Sequence, residues 1–336
     1  MPRDPYDPNL FAGRDTDLQQ IAAWLRNPGD RRLRSITGSP GSGKTWLLEK
    51  VSRQYTNHCI VLQTKAPALA SPAGASREID QLVTMAANRC DFKPDSLLDS
   101  ILAPERRMEE LGRQVCAHCS PRIPLLIVDG IDELAPQVGW NGVENLLLAF
   151  LRGGSCACAL IARRDEQALG LFGLRLIEVV HPLGGFNPQE TQDQVTKRFA
   201  YRHRLAPSPN FISFLQNQIP EYDGSHPSMN AFLVDRMAHW MARSPLTLTA
   251  DDLEDCLRDT VGGLLSDQAL DLLQVLCCQD DWTLTDLQDS GIHIDDPRIM
   301  ELFHLGILVE APPRYRIVEG FRGMARAWRR LRGDPC

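Results

Sequence analysis

Eight consecutive residues, Gly38-Ser39-Pro40-Gly41-Ser42-Gly43-Lys44-Thr45, restrict this chain more than any other stretch. They fit G-x-x-x-x-G-K-[ST] at every position. Arg34-Ser35-Ile36-Thr37 reads as a strand before them, and Trp46-Leu47-Leu48 opens a helix after them. A strand, a glycine-rich turn and a helix start in that order make a phosphate cradle. Glycines let backbone N–H groups converge on phosphate oxygens, and the helix adds the positive end of its dipole. The motif assigns Gly38, Ser39, Pro40, Gly41, Ser42 and Gly43 to the phosphates. Lys44 reaches the β- and γ-phosphates, and the Thr45 hydroxyl ligates Mg2+. No guanine-reading N-K-x-D occurs, so ATP or ADP with Mg2+ is the expected ligand.

A second motif supplies acids. Leu125-Leu126-Ile127-Val128 is an apolar strand that runs into Asp129-Gly130-Ile131-Asp132-Glu133. Ligands bind beyond the carboxyl ends of strands in a doubly wound sheet. Asp129 is placed to hold Mg2+ through water. Glu133 or Asp132 is placed to orient and deprotonate an attacking water, and spacing leaves open which one. A further strand, Ala159–Ala162, ends in Arg163-Arg164-Asp165, where a cation can sense a γ-phosphate.

The surrounding pattern fixes the fold class as α/β. Strands are expected at Arg32–Thr37, Cys59–Gln63, Ile123–Val128, Ala157–Ala162 and Leu174–Val180. Helices between them include Trp46–Tyr55, Glu78–Cys90 and Gly142–Leu151. Alternation of this kind implies βαβ units and a mostly parallel sheet, and non-alternating apolar runs imply cover on both faces. Lys65–Ser76, rich in Pro, Ala, Ser and Gly, reads as an exposed loop. From Asn187 to Gly262 only helices are expected. From Leu264 the order is three helices, two strands joined at Pro312-Pro313, and a helix over Phe321–Leu331, which suggests a winged helix-turn-helix. The domains are thus expected at 1–182, 183–262 and 263–336.

With 43% hydrophobic and 24% charged residues among 336, the chain is neither disordered throughout nor fibrous. No apolar run nears the roughly 18 residues of a membrane span. The polar, proline-rich opening MPRDPYDPNL carries no secretory signal. Ten Cys fall far below the density of a disulfide scaffold, so a cytoplasmic chain with reduced thiols is expected. A net charge of −7 disfavours nucleic acid as the main partner. Cys116-Ala117-His118-Cys119 has no second pair at zinc spacing and reads as ordinary thiols on a helix end. Cys156, Cys158, Cys277 and Cys278 read as small core residues. Arg322, Arg326, Arg329, Arg330 and Arg332 give the last helix a basic face, read as solvated.

Taken together, these residues resemble the STAND class of P-loop ATPases, which includes the NB-ARC and NACHT proteins. Phe11-Ala12-Gly13-Arg14-Asp15 is similar to that family's entry motif, which packs near adenine. Asp129-Gly130-Ile131-Asp132-Glu133 matches its acidic motif. Arg164 stands where the family has a sensor arginine, and Arg163 can substitute. His181-Pro182-Leu183 resembles the entry into its helical lid. Gly224-Ser225-His226-Pro227 resembles the G-x-P motif whose proline contacts the base. The resemblance covers about Phe11 to Leu331. It implies a P-loop sheet domain, a helical lid and a winged helix, with Phe11, Arg14 and Pro227 around the nucleotide. Val318 stands where NB-ARC members carry a histidine on the ADP phosphates.

The resemblance implies an ATP-operated switch with slow hydrolysis, ATP bridging sheet domain and lid. It also implies a separate effector or sensor protein and nucleotide-dependent homo-oligomers; the lack of a span-length apolar run is what points to no membrane partner. The alternatives are a DNA-binding AAA+ initiator-like ATPase and a scaffold that keeps its nucleotide without turnover.

Overall fold

The computed structural model describes residues 5–90, 93, 102–134, 140–164, 169–205, 211–240, 247–311 and 313–334. The chain divides into two compact units. One comprises Asp15–Gly38 and Lys44–Leu183, and the other Met1–Arg14, Ser39–Gly43 and Gly184–Cys336.

The first unit is built on five parallel strands: β1 (Leu33–Thr37), β2 (Cys59–Lys65), β3 (Ile123–Asp129), β4 (Cys158–Arg163) and β5 (Glu178–Pro182). Their order is β2-β3-β4-β1-β5, so β4 lies between β1 and β3. Thr37 is in register with Arg163 and Pro182, and Lys65 with Asp129. The chemistry-bearing residues therefore leave the sheet along one edge. All of β1 and β4, and β3 from Pro124 onward, are buried, which explains their unbroken apolar runs.

Its helices are α1 (Asp15–Arg26), α2 (Lys44–Gln54), α3 (Ala66–Leu69), α4 (Pro72–Cys90), α5 (Pro104–His118), α6 (Trp140–Gly153) and α7 (Phe172–Ile177). Ile79, Leu82, Met108, Leu111, Leu147 and Phe150 are fully buried in its core. Helices α5 and α6 meet backbone to backbone. A methyl added at Gly112 runs into the Phe150 carbonyl, and one added at Gly153 into the Glu109 carbonyl. A buried polar chain ties α1, β1 and β5. The Arg34 guanidinium lies 2.6 Å from His181 Nδ1, and His181 Nε2 lies 2.7 Å from Asp17. Arginine only donates, so Nδ1 accepts and Nε2 carries the proton donated to Asp17.

The second unit is helical: α8 (Pro188–Lys197), α9 (Phe211–Gln218), α10 (Pro227–Trp240), α11 (Ala250–Thr260), α12 (Asp267–Leu276), α13 (Leu284–Asp289), α14 (Pro297–His304) and α15 (Glu319–Arg332). Between α14 and α15 stands an antiparallel hairpin, β6 (Leu308–Ala311) and β7 (Arg314–Ile317). Asn187 starts α8 with a reciprocal capping box to Glu190. The helix runs on through wider π-type turns, Arg198–His203. Phe199, Phe211, Leu233, Leu257, Leu273 and Phe321 form the core.

Three expectations need correction. Lys65–Ser76 is not a loop: its residues complete β2, form α3 and begin α4. Pro67 and Pro72 fall in first turns, where a missing N–H costs nothing, and alanine is the best helix former. Leu174–Val180 is not one strand: the chain is helical to Ile177, and β5 begins at Glu178. The cysteines are not all free. Cys90 pairs with Cys119 and Cys116 with Cys156, because contacts that join segments 29 and 40 residues apart leave no local signature. Pro312, of the expected hairpin tip, lies outside the described residues. Among the described residues no helix is long and apolar enough to cross a membrane.

Gly112→Ala is expected to destabilise the sheet unit by about 1–3 kcal/mol through overpacking against α6. A lowered urea midpoint with an unchanged slope is the expected reading; an unchanged midpoint contradicts this account of the α5–α6 contact.

Candidate functional site

In the sheet unit, the turn after β1 hands over to α2 at Lys44. This lysine is only 6% exposed, and its Nζ donates to the Gly38 carbonyl at 2.8 Å. Thr45 Oγ1 donates to Asp129 Oδ1 at 3.2 Å, so β3 carries its terminal carboxylate to the first turn of α2. A hydroxyl and a carboxylate oxygen side by side are the hard donors Mg2+ takes. Gly130, at φ +75, turns the chain off β3 into the short 3-10 turn Ile131–Glu133. The exposed Glu133 side chain folds back beneath that turn. A Cβ on Gly130 would lie 3.3 Å from Glu133 Cδ. The side chain of Asp132 and all of Asp165 lie outside the described residues.

The two arginines that end β4 differ. Arg163 is buried, pairs with Glu178 at 2.9 Å and donates to the Arg164 carbonyl at 3.2 Å. Ser35 Oγ donates to the same carboxylate. Removing one member of such a pair leaves an uncompensated buried charge, so Arg163 is held in place. Arg164 is half-buried at the strand end.

In the helical unit, the entry segment lies along α8. Lys197 donates to the Phe11 carbonyl at 2.9 Å, Gly13 N–H to Asp193 at 3.2 Å, and Arg14 N–H to Glu190 at 3.0 Å. Arg14 takes a left-handed backbone, φ +67, which turns its buried side chain over Phe186 with the guanidinium carbon 4.6 Å from the ring centroid.

Ser39–Gly43 also belongs to this unit, and three successive carbonyls of the loop are bonded there. Pro40 O accepts from His226 Nε2 at 2.9 Å, Gly41 O from Ser228 Oγ at 2.9 Å, and Ser42 O from Arg14 at 2.9 Å. In a planar trans peptide the next residue's N–H points opposite to the carbonyl. Tethering these carbonyls therefore aims the Gly41, Ser42 and Gly43 amides away from His226, Ser228 and Arg14. Ser42 N–H closes a turn on Ser39 O at 3.2 Å, which leaves the two glycine amides for a ligand. Gly41 (φ +73) and Gly43 (φ +94) need backbone that L side chains rarely adopt.

Two observations fit a phosphate in this loop. Ser42 Oγ is buried without a hydrogen-bond partner among the described residues. A Cβ built on Gly43 meets nothing within 4 Å, which is open space at the mouth of the cradle.

Pro227, expected against the base, is buried at the first position of α10, and its carbonyl accepts from Gln194 at 2.9 Å. Its neighbours His226 and Ser228 are the residues that hold the loop. Sequence reasoning missed both, although they flank the proline. His226 also packs on α15: its ring meets Phe321 edge-on at 5.5 Å, and a Cβ on Gly320 would lie 3.0 Å from it. The basic face of α15 is engaged within the unit. Arg322 and Arg326 bond Asp280, Arg329 the Gln274 carbonyl, and Arg330 Glu221.

Residues 10–155 match the model of the AAA ATPase domain. No curated protein matches the chain. Among solved structures, a Walker-type ATPase of Pyrococcus abyssi is 14% identical. The match covers 98% of this chain and 99% of that one, with a TM-score of 0.61, and so shares the fold. A STAND protein with a tetratricopeptide repeat sensor from Pyrococcus horikoshii is 15% identical over 97% of this chain and 44% of that one, at a TM-score of 0.44. The Orc1 protein of Aeropyrum pernix, solved with DNA, is 14% identical over 96% of this chain and 94% of that one, at 0.49. The chain thus shares a parallel-sheet P-loop fold with that Walker-type ATPase, and its residues 10–155 are similar to an AAA ATPase domain.

Gly41→Ala is expected to cost about 1–2 kcal/mol for the left-handed backbone alone. The added methyl also meets His226 Cε1 at 2.7 Å. Faster amide exchange at residues 39–43 and in the first turn of α10 is the expected result. Exchange indistinguishable from wild type contradicts the tethered loop.

Proposed function

We propose that this chain binds ATP with Mg2+, hydrolyses it slowly and uses the occupancy of the loop as a switch. The observation that carries the reading is the set of three loop carbonyls held by His226, Ser228 and Arg14, which leaves the Gly41 and Gly43 amides facing a ligand. Lys44 then gives up the Gly38 carbonyl for β- and γ-phosphate oxygens, a stronger acceptor. Thr45 Oγ1 and Asp129 hold the metal. Glu133 orients a water and takes its proton, with Asp132 as the second candidate, and Arg164 faces the γ-phosphate. Phe11 and Pro227 flank the base. Mg2+ bound with the triphosphate neutralises charge that builds up on the phosphates.

The switch follows from shared atoms. Phosphates drawn to the Gly41 and Gly43 amides act on the same peptides whose carbonyls are held by His226 and Arg14, and His226 rests on Gly320 and Phe321 of α15. ATP and ADP differ in the γ-phosphate, and a ligand shifts a two-state protein only by its differential affinity; turning a 1:99 balance around takes about 5.5 kcal/mol. In this reading α8 to α11 form a lid and α12 to α15 with the hairpin form a winged helix, as in the STAND class. A separate effector or sensor protein receives the change, and assembly of copies follows the nucleotide state. The engaged arginines of α15 weigh against DNA as the partner.

Two measurements test this. Calorimetry on Lys44→Ala is expected to show nucleotide affinity about 10- to 100-fold weaker, the worth of charge-assisted bonds; unaltered affinity removes the proposal. Glu133→Gln is expected to slow phosphate release by about 100-fold or more with binding retained. Equal turnover in both proteins leaves a nucleotide-holding scaffold in place of an enzyme.

A further inference from the structure

Four cysteines gather at the N-terminal edge of the parallel sheet, the end opposite Asp129 and Arg163. Cys90 ends α4, Cys116 lies in the last turn of α5, Cys119 follows α5, and Cys156 precedes β4. Cys90 pairs with Cys119 and Cys116 with Cys156, at Cα–Cα separations of 5.6 and 6.0 Å, within the range a disulfide spans. Each bond fixes a helix at the entry to a strand that ends in site residues. Cys119 leads into β3 and Asp129, and Cys156 into β4 and Arg163. A Cβ on Gly154 would run into Cys116 Sγ, so only glycine lets this segment approach α5 so closely.

The four sulfurs differ in access. Cys156 is exposed, Cys116 and Cys90 are half-buried, and Cys119 is buried. Elsewhere, Cys59, Cys158 and Cys277 are buried, and desolvation pushes their thiols up to about 11, about 12 and about 11, which keeps them protonated and inert. Among the described residues no group of three or more His, Cys, Asp or Glu is set to hold a metal ion.

We propose that Cys90, Cys116, Cys119 and Cys156 form a reversible thiol–disulfide exchange site that takes a dithiol reductant, with the Cys116–Cys156 bond attacked first. One thiolate of the dithiol attacks Cys156 Sγ; the bond to Cys116 breaks and Cys116 leaves as the thiolate. The second thiolate of the dithiol attacks its own sulfur in the mixed disulfide and releases Cys156 as a thiolate. Two electrons have passed to the protein pair, and the dithiol departs as its disulfide. Residues three apart on a helix are neighbours, so Cys116 then reaches the Cys90–Cys119 bond. It bonds Cys119 and expels the Cys90 thiolate with no net change in oxidation. A disulfide oxidant runs the site in reverse. Oxidised, the site pins α4 and α5 to the entries of β3 and β4; reduced, it releases them.

The test maps peptides of the full chain after equilibration with oxidised glutathione and then with graded dithiothreitol. The expected map links Cys90 to Cys119 and Cys116 to Cys156. Limiting dithiothreitol opens Cys116–Cys156 first and then makes Cys90 alkylatable. Excess reductant frees all four and lowers the thermal midpoint by roughly 5–10 °C, with Cys158 unlabelled throughout. Cys156 is exposed, so Cys156→Ser leaves the half-buried Cys116 and the packing around it in place: its free Cys116 is expected to make Cys90 alkylatable without any reductant. Four thiols that alkylate freely in oxidised glutathione, or a Cys90 that never reacts in Cys156→Ser, overturn the proposal. So does a midpoint lowered by a chelator with release of bound metal, which assigns these sulfurs to a metal instead.

Discussion

Everything in the helical unit that bears on function depends on one restraint: Pro40, Gly41 and Ser42 each give their carbonyl oxygen to a side chain, to His226, Ser228 and Arg14 respectively. A glycine-rich turn on its own samples many arrangements, and glycine loses more freedom on ordering than any other residue. Three bonds on three adjacent peptides remove that freedom in advance. The amides are then set before a ligand arrives, and less of its binding free energy goes into ordering the loop. The same bonds make the loop readable, since none of those peptides can turn without disturbing a donor rooted in α10 or beside α8.

The sheet unit solves a different problem, the placing of charge. The order β2-β3-β4-β1-β5 delivers Asp129, Arg163 and Arg164 to the edge from which α2 starts. Burial then sorts the two arginines. Arg163 is bound to Glu178, whose carboxylate also accepts from Ser35, and holds the sheet, while Arg164 stands at the strand end. The chain from Arg34 through His181 to Asp17 works in the same structural way on the other side of β1, where it fixes one histidine tautomer.

Much of this was legible because the motifs are local. The phosphate loop, Thr45 and the acidic run at Asp129 follow from consecutive residues, and three of the five strands follow from apolar runs that end in charge, while β1 follows from the loop it precedes. What escaped was either positional chemistry read too coarsely or contact between distant segments. Proline and alanine in Lys65–Ser76 resemble a loop by composition, yet both prolines sit where a helix start tolerates them. A half-apolar stretch such as Leu174–Ile177 has no period long enough to separate helix from strand. The pairs Cys90–Cys119 and Cys116–Cys156 exist only once α4, α5 and β4 have packed. His226 and Ser228 carry no motif of their own; their role appears only when the turn they flank is set against the loop.

The most direct measurement of the tethered loop is an amide spectrum of the full chain labelled with 15N-glycine, recorded with and without magnesium and ADP or a non-hydrolysable ATP analogue. The account predicts that the Gly41 and Gly43 amide resonances move strongly downfield on saturation, as N–H groups bonded to phosphate do, while glycines remote from the loop, such as Gly291, stay where they are. Resonances of Gly41 and Gly43 that remain unmoved at saturating nucleotide would contradict it.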